Sequence, residues 1–291
     1  MDFIKKLVAH LCLPQDAETV IFETYGKIAD TPQFYELSCM IADRTSFGII
    51  LRKIREYSAV LDVQEYTLTM VLLIANAHIC RQRYLDAEID EQVFWDTIMD
   101  LQYKIIECKN VYHVWGIFVF EWYQIIFELT LFKLGRLEYQ KTLLPNGELI
   151  LSIHIPSCGP LKHDDVLDSY KKARAFFGNT HGNMTAFTCG SYLLFPEYRK
   201  TVFPEGSNTY LFAEDFHMLR TAYTEEFSNA WRVFSMDYDG DTAKLPADTS
   251  MQRAFIRYLN NGGKSGSGRG AFLFDGETIY KEEAEIFREY L

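Results

Sequence analysis

The segment LILSIHIPSCGPLKHDDVLDSYKKARAFF, residues 149–177, contains in order the patterns of a strand, a tight loop and a helix. Apolar residues alternate with Ser152 and His154 in its first part, which is the period of a β-strand. A Gly-Pro pair marks the loop, and from Val166 the apolar residues recur at helical spacing. The free N–H groups at the start of such a helix can bind a phosphate. An ordinary strand-loop-helix unit without a ligand has the same pattern.

The composition of the 291 residues restricts the classes of partner and compartment. A hydrophobic content of 48% is enough for a substantial core, and a net charge of -11 argues against a nucleic-acid partner. The six cysteines form no C-x-x-C pair, which favours reduced thiols in the cytoplasm over a zinc site, so no metal is expected. The most apolar segment, Val111–Leu134, includes four charged or titratable side chains, which favours a buried helix over a membrane span.

The first part of the chain is predicted to be a helical domain, residues 1–132. Thr31 and Asp62 are the predicted caps of two of its helices. Helical spacing predicts helices at Asp16–Lys27, Pro32–Ala42, Ser46–Val60, Val63–Arg83, Asp90–Glu107 and Val111–Phe132.

From residue 133 to residue 291 the patterns change to those of a mixed α and β domain. Pro145-Asn146-Gly147 predicts a hairpin between two strands. Further strands are predicted at Met184–Phe195 and Ala230–Tyr238, and a helix at Thr249–Asn261 with Asp248 as its cap. GGKSGSGRG, residues 262–270, is interpreted as a turn; the alternative is a phosphate loop that uses Lys264 and Arg269. The predicted fold class is therefore α+β.

Five segments of the second domain together carry a resemblance. They are LGRLEYQ at 134–140, IHIPSCGPL at 153–161, SYKKARAFF at 169–177, GSYLLFPEYRKTVFPEGSN at 190–208 and LPADTSMQRAFIRYLNNGGKSGSGRGAF at 245–272. Together they resemble the GNAT-like acyltransferases with a helical N-acyltransferase N-terminal domain and a GNAT-like C-terminal domain. This resemblance implies a mixed β-sheet with flanking helices and an acyl-CoA donor.

The resemblance also implies where acyl-CoA binds. Pantetheine would pair with the strand at residues 153–157, and the pyrophosphate would bind the loop at residues 158–162. The loop departs from the usual pattern of the superfamily, because Pro160 removes a backbone donor. The implied donor-binding residues are Ile153, Ile155, Ser157, Cys158, Gly159, Leu161 and Lys162.

Acyl transfer to an amine needs a base, and three residues are candidates for the catalytic chemistry. His154 lies on the polar side of the donor strand and titrates near neutral pH; the alternative is a structural histidine. Glu138 lies on the neighbouring strand and could be the base; the alternatives are an ion pair with Arg136 or simple exposure to solvent. Cys189 could form an acyl-enzyme with His154 if the two side chains share a face of the sheet; a buried, inert thiol is the alternative.

These features predict a cytoplasmic acyltransferase that moves an acyl group from acyl-CoA to an amine acceptor. Two alternatives remain open at the level of sequence. One is a non-catalytic protein that binds acyl-CoA or a small metabolite on the same scaffold. The other is a protein-interaction module with a degenerate GNAT half.

Overall fold

The computed structural model describes residues 2–291 and divides them into two compact units, one ending at Phe132 and the other beginning at Lys133. The first unit is built of helices packed around α5. The bounds of its helices are α1 Asp2–Leu11, α2 Gln15–Ile28, α3 Pro32–Ala42, α4 Phe47–Val60, α5 Glu65–Asp86, α6 Glu91–Ile98, α7 Asp100–Tyr112 and α8 Phe120–Phe127.

Helix α5 is the core helix of this unit. It packs against α1, α2, α3, α4, α6 and α8, so residues on all its sides are buried. Within residues 2–291, no single helix is both long and apolar enough to cross a bilayer, although the bent pair Gly48–Val60 and Glu65–Asp86, at 115°, passes the same test of length and composition.

The structure of the helical unit confirms one predicted helix cap and contradicts two other predictions. Thr31 is confirmed as the cap of α3, since its hydroxyl accepts a hydrogen bond from the Phe34 N–H at 3.2 Å. Asp62 is wrong as the cap of α5, because Gln64 accepts the Thr67 N–H at 3.0 Å instead. The helix predicted at Val111–Phe132 is also wrong: α7 ends at Tyr112, α8 is short, and a strand begins at Leu131.

The second unit is organised by one seven-stranded mixed sheet with flanking helices, which confirms the predicted fold class. The strand order is β1-β2-β3-β4-β6-β5, with β7 paired to β6. The strands are β1 Leu131–Leu134, β2 Leu137–Leu143, β3 Leu149–His154, β4 Thr185–Ser191, β5 His217–Thr224, β6 Ser265–Phe274 and β7 Ile279–Tyr280. Its α-helices are α9 His163–Phe177, α10 Pro196–Thr201, α11 Asn208–Glu214, α12 Ala230–Phe234 and α13 Ser250–Asn260.

Pairing in the sheet explains why the glycine-rich segment was interpreted wrongly. Residues 265–274 form β6, an inner strand between β4 and β5, and not a turn or phosphate loop. Gly266, Gly268 and Gly270 lie where Phe195, Leu194 and Phe216 pack directly on the strand. A Cβ at Gly270 would lie 2.7 Å from the Cβ of Phe216, so the absence of side chains permits this close packing.

Two further predictions in this unit are wrong. Ala230–Tyr238 contains helix α12 where a strand was predicted, and the chain then leaves regular structure. Helix α13 is capped by Thr249 and not by Asp248, because Thr249 and Gln252 exchange hydrogen bonds in a capping box.

The two faces of the sheet carry different side chains. Leu151 and Ile153 of β3 and Phe187 and Cys189 of β4 point to one face, which we call the helix face because α9 packs there against Phe187. The Tyr170 ring of α9 lies 5.6 Å from the Phe187 ring. On the other face, which we call the polar face, lie Glu138, Ser152, His154 and Thr188.

Candidate active site

The parallel strands β3 and β4 separate before either one ends. Their pairing comprises Leu151 with Phe187 and Ser152 with Thr188. Beyond these pairs β3 continues to His154, and β4 continues to Ser191. The β3 edge that faces β4 therefore offers backbone groups to an extended ligand, as an unpaired strand edge does.

The loop that follows β3 is held by the guanidinium of Arg136. Nη1 donates to the Pro156 carbonyl at 3.0 Å, Nη2 to the Gly159 carbonyl at 2.7 Å, and Nε to the Pro160 carbonyl at 3.0 Å. The sequence suggests Arg136 only as an ion-pair partner of Glu138, whereas in the structure its side chain binds the loop. No spacing rule would have paired it with three carbonyls some 20 residues away.

The positions predicted to bind the donor lie along β3 and this loop. Gly159 is exposed and has φ of +104°, so it needs glycine for its backbone conformation, although a Cβ would meet no atom within 4 Å. The exposed positions are Ser157, Gly159 and Lys162; Ile155 and Cys158 are half-buried; Ile153 and Leu161 are buried.

The start of α9 is anchored to the segment after α11. Nε2 of His163, the first residue of α9, lies 3.0 and 3.2 Å from the two carboxylate oxygens of Asp215. The Tyr170 hydroxyl donates to the same carboxylate at 3.1 Å. Burial raises the pKa of Asp215, and the hydrogen bond from His163 opposes that rise. This network fixes the N-terminus of α9 directly after the loop.

The two candidate bases lie opposite each other on the polar face. Glu138 of β2 and His154 of β3 are cross-strand partners, and Glu138 is only 1% exposed. Nε2 of His154 lies 3.0 Å from Oε1 of Gln140, and the tautomer that carries its hydrogen on Nε2 can donate to this amide oxygen. Burial lowers the pKa of His154 to about 4, so the imidazole is neutral at pH 7.

Family models match both units. The N-acyltransferase N-terminal domain matches residues 2–129, and the GNAT-like C-terminal domain matches residues 131–272. The chain belongs to the GNAT-like acyltransferase family. No curated protein matches the sequence of this GNAT-like acyltransferase.

Solved acyltransferases share its fold. An acyltransferase in complex with decanoyl-CoA and teicoplanin has a TM-score of 0.73 at 20% identity, covering 94% of this chain and 88% of the other. A mutant acyltransferase in complex with octanoyl-CoA has a TM-score of 0.72 at 20% identity, covering 93% and 87%. An acyltransferase in complex with CoA and 10C-teicoplanin has a TM-score of 0.71 at 20% identity, covering 92% and 86%.

Cys189 is not brought together with His154. It lies on the helix face, whereas His154 lies on the polar face, so the two cannot form the dyad considered from the sequence. The thiol is 1% exposed, and burial raises its pKa to about 12. A nucleophilic cysteine needs thiolate near neutral pH, so the geometry corrects this prediction in favour of an inert thiol.

Arg269 lies on the inner strand β6 and not in a phosphate loop. On β6 it lies opposite Gly190 of β4, on the same face as His154. A Cβ at Gly190 would lie 3.3 Å from Nη2 of Arg269 and 3.5 Å from its Cζ, so the guanidinium lies over the glycine. In the sequence, the only indication of this contact is Gly190, two residues beyond the last β3–β4 pair. It cannot be recognised until the strand pairing is known.

A cavity of about 750 Å³ lies elsewhere in this acyltransferase. Some of the residues between Leu194 and Met218 line it, together with Met251, Ala254 and Arg257 of α13. None of the predicted donor or catalytic residues lines it.

Proposed function

We propose that this protein transfers an acyl group from acyl-CoA to an amine. The observation that carries the proposal is the separation of β3 from β4 immediately before the Arg136-held loop and the start of α9. An extended pantetheine would pair with the β3 edge at Ile153 and Ile155. The loop from Ser157 to Lys162 and the first N–H groups of α9 would hold the pyrophosphate.

Related folds support an acyl-CoA donor. The similar acyltransferases were solved with decanoyl-CoA, octanoyl-CoA or CoA, and in two cases also with teicoplanin or 10C-teicoplanin. The six cysteines without a C-x-x-C pair favour a reducing compartment, so we propose the cytoplasm as its location.

In the proposed reaction, His154 is the base. The amine nitrogen attacks the thioester carbonyl carbon, and Nδ1 of His154 accepts the proton that the nitrogen loses. The tetrahedral intermediate then collapses, the carbon–sulfur bond breaks, and the departing CoA thiolate takes the proton that His154 accepted, which returns the imidazole to its neutral form. Gln140 keeps the imidazole in the required tautomer. Glu138, directly opposite, is the second candidate for the base.

A paired binding and turnover experiment tests the proposal. We expect CoA, acetyl-CoA and decanoyl-CoA to raise the melting temperature, since a ligand at 100 times its Kd adds about 2.7 kcal/mol of stability. We also expect release of CoA thiol when an amine panel is added to the stabilising acyl-CoA. His154→Ala should lower turnover by about 10²-fold or more while the CoA shift remains.

The outcomes separate the alternatives. A melting shift without thiol release for any amine would support the non-catalytic acyl-CoA binding protein. No shift with any CoA compound at millimolar concentration would refute the donor site. Full activity of His154→Ala would make Glu138 the base.

A further inference from the structure

Arg269 and His154 lie on opposite sides of the opening between β3 and β4. Gly190 belongs to the part of β4 that has already separated from β3, and the Arg269 guanidinium lies over it. His154 belongs to the corresponding part of β3, on the same face. Paired strands are about 4.8 Å apart, and these two strands separate further at this level. A molecule that reaches His154 from the polar face therefore passes close to the guanidinium.

Arg269 adds a positive charge close to this opening. Its side chain is exposed, and within the part of the chain that the structure describes it forms no ion pair. Its partner on β5 is a second cation, Arg220, whose Nη2 donates to the Arg288 carbonyl. Arg288 itself is bound to Glu285. In a chain with 40 acidic and 29 basic residues, this leaves a local positive site at the opening.

A guanidinium is suited to one class of ligand group. Its planar fork of N–H donors matches a carboxylate or phosphate with two parallel hydrogen bonds. The donor's pyrophosphate would lie at the loop and the start of α9, and α9 packs on the helix face. Arg269 is on the other face, so the oxyanion that it meets belongs to the acceptor.

We propose that Arg269 selects acceptors that carry a carboxylate next to the reacting amine, as an amino acid or a peptide amino terminus near an acidic group does. The proposal rests on the proposed acyl transfer and names the substrate class of that site. Gly190 is required for this arrangement, because the absence of a side chain leaves room for the Arg269 guanidinium above β4.

Product analogues test this without knowledge of the natural acceptor. N-decanoyl-phenylalanine and N-decanoyl-phenethylamine differ only in the carboxylate, and their affinities can be measured by calorimetry. We expect the wild-type protein to bind the carboxylate compound about 10-fold or more tightly than its partner. Arg269→Gln should abolish this preference, and Arg269→Lys should restore part of it.

Two further variants separate position from charge. Gly190→Val keeps the arginine but places a branched side chain where the guanidinium lies, so the preference should fall there too. Arg257→Gln, an exposed arginine on α13, should keep the preference and serves as the control for charge.

Three results would overturn the proposal. One is equal binding, or no binding, of the two analogues by the wild-type protein. Another is a preference that survives Arg269→Gln. The third is a loss of CoA affinity in Arg269→Gln as large as its loss of affinity for the carboxylate analogue, which would assign the arginine to a donor phosphate. Absence of any CoA-induced melting shift in the wild-type protein is a separate result that refutes the acyl transfer itself.

Discussion

Replacement of Arg136 should weaken donor binding without unfolding the protein. The guanidinium donates to the carbonyls of Pro156, Gly159 and Pro160, so it fixes the start and the middle of the loop. A hydrogen bond from a charged donor contributes about 1.5–3 kcal/mol when buried. Two of the three bonds are exposed to solvent, so the lower part of that range applies to them.

The expected magnitude follows from these bonds. Arg136→Gln can keep at most one of them, so we expect the ordered loop to lose about 2 kcal/mol or more. Because CoA requires the ordered loop, the Kd for CoA should rise about 30-fold, since 1.4 kcal/mol corresponds to a factor of 10. Arg136→Lys retains the positive charge but not the planar set of N–H donors, so its Kd for CoA should lie between those of the wild type and Arg136→Gln.

Calorimetric titration with CoA beside a thermal melt measures the effect. Lys171→Gln, which removes one exposed positive charge from α9, is the matched control and should bind CoA like the wild type. A Kd for Arg136→Gln within twofold of the wild-type value would refute the role of Arg136 in the donor loop. A collapsed melt would show that Arg136 supports the fold, and Arg136→Lys would then decide its role in binding.

Three other predictions concern titrating and buried groups. The pKa of His154 is about 4 in the folded protein against an ordinary 6.5, so the unfolded chain binds the proton first and stability should fall by roughly 3 kcal/mol from pH 6.5 to pH 4. Denaturant melts across this range should show that His154→Gln lacks this loss; an equal slope in the two proteins would contradict it. Cys189→Ala should keep turnover and lose about 1–2 kcal/mol of stability, and iodoacetamide should leave Cys189 unmodified in the folded protein by mass spectrometry. Asp215→Ala should lower the free energy of unfolding by about 2–3 kcal/mol, since it leaves His163 and Tyr170 without their shared acceptor. The control Asp164→Ala changes an exposed residue of α9 and should lower the free energy of unfolding only slightly. Equal losses in the two variants would argue against the network.

Local sequence patterns correctly predicted those elements whose formation depends on residues close to one another in the sequence. The hairpin at Pro145-Asn146-Gly147 and the helix that became α9 both formed, because turn chemistry and periodic apolar residues act over a few positions. The resemblance of the second half to the GNAT-like family predicted the type of sheet. The helix wrongly predicted at Val111–Phe132 and the strand wrongly predicted at Ala230–Tyr238 are aromatic and apolar segments whose periodicity did not settle their conformation.

The sequence alone therefore determined the strand, loop and helix at residues 149–177 and the residue types that could act there. Only the tertiary structure decided which of them meet. Cys189 and His154 lie on opposite faces because the register of β3 with β4 sets the direction of each side chain. The contacts of Arg136 with the loop, and of Arg269 with Gly190, join residues from separate elements, and pairing and packing across the sheet determine such contacts where local spacing cannot.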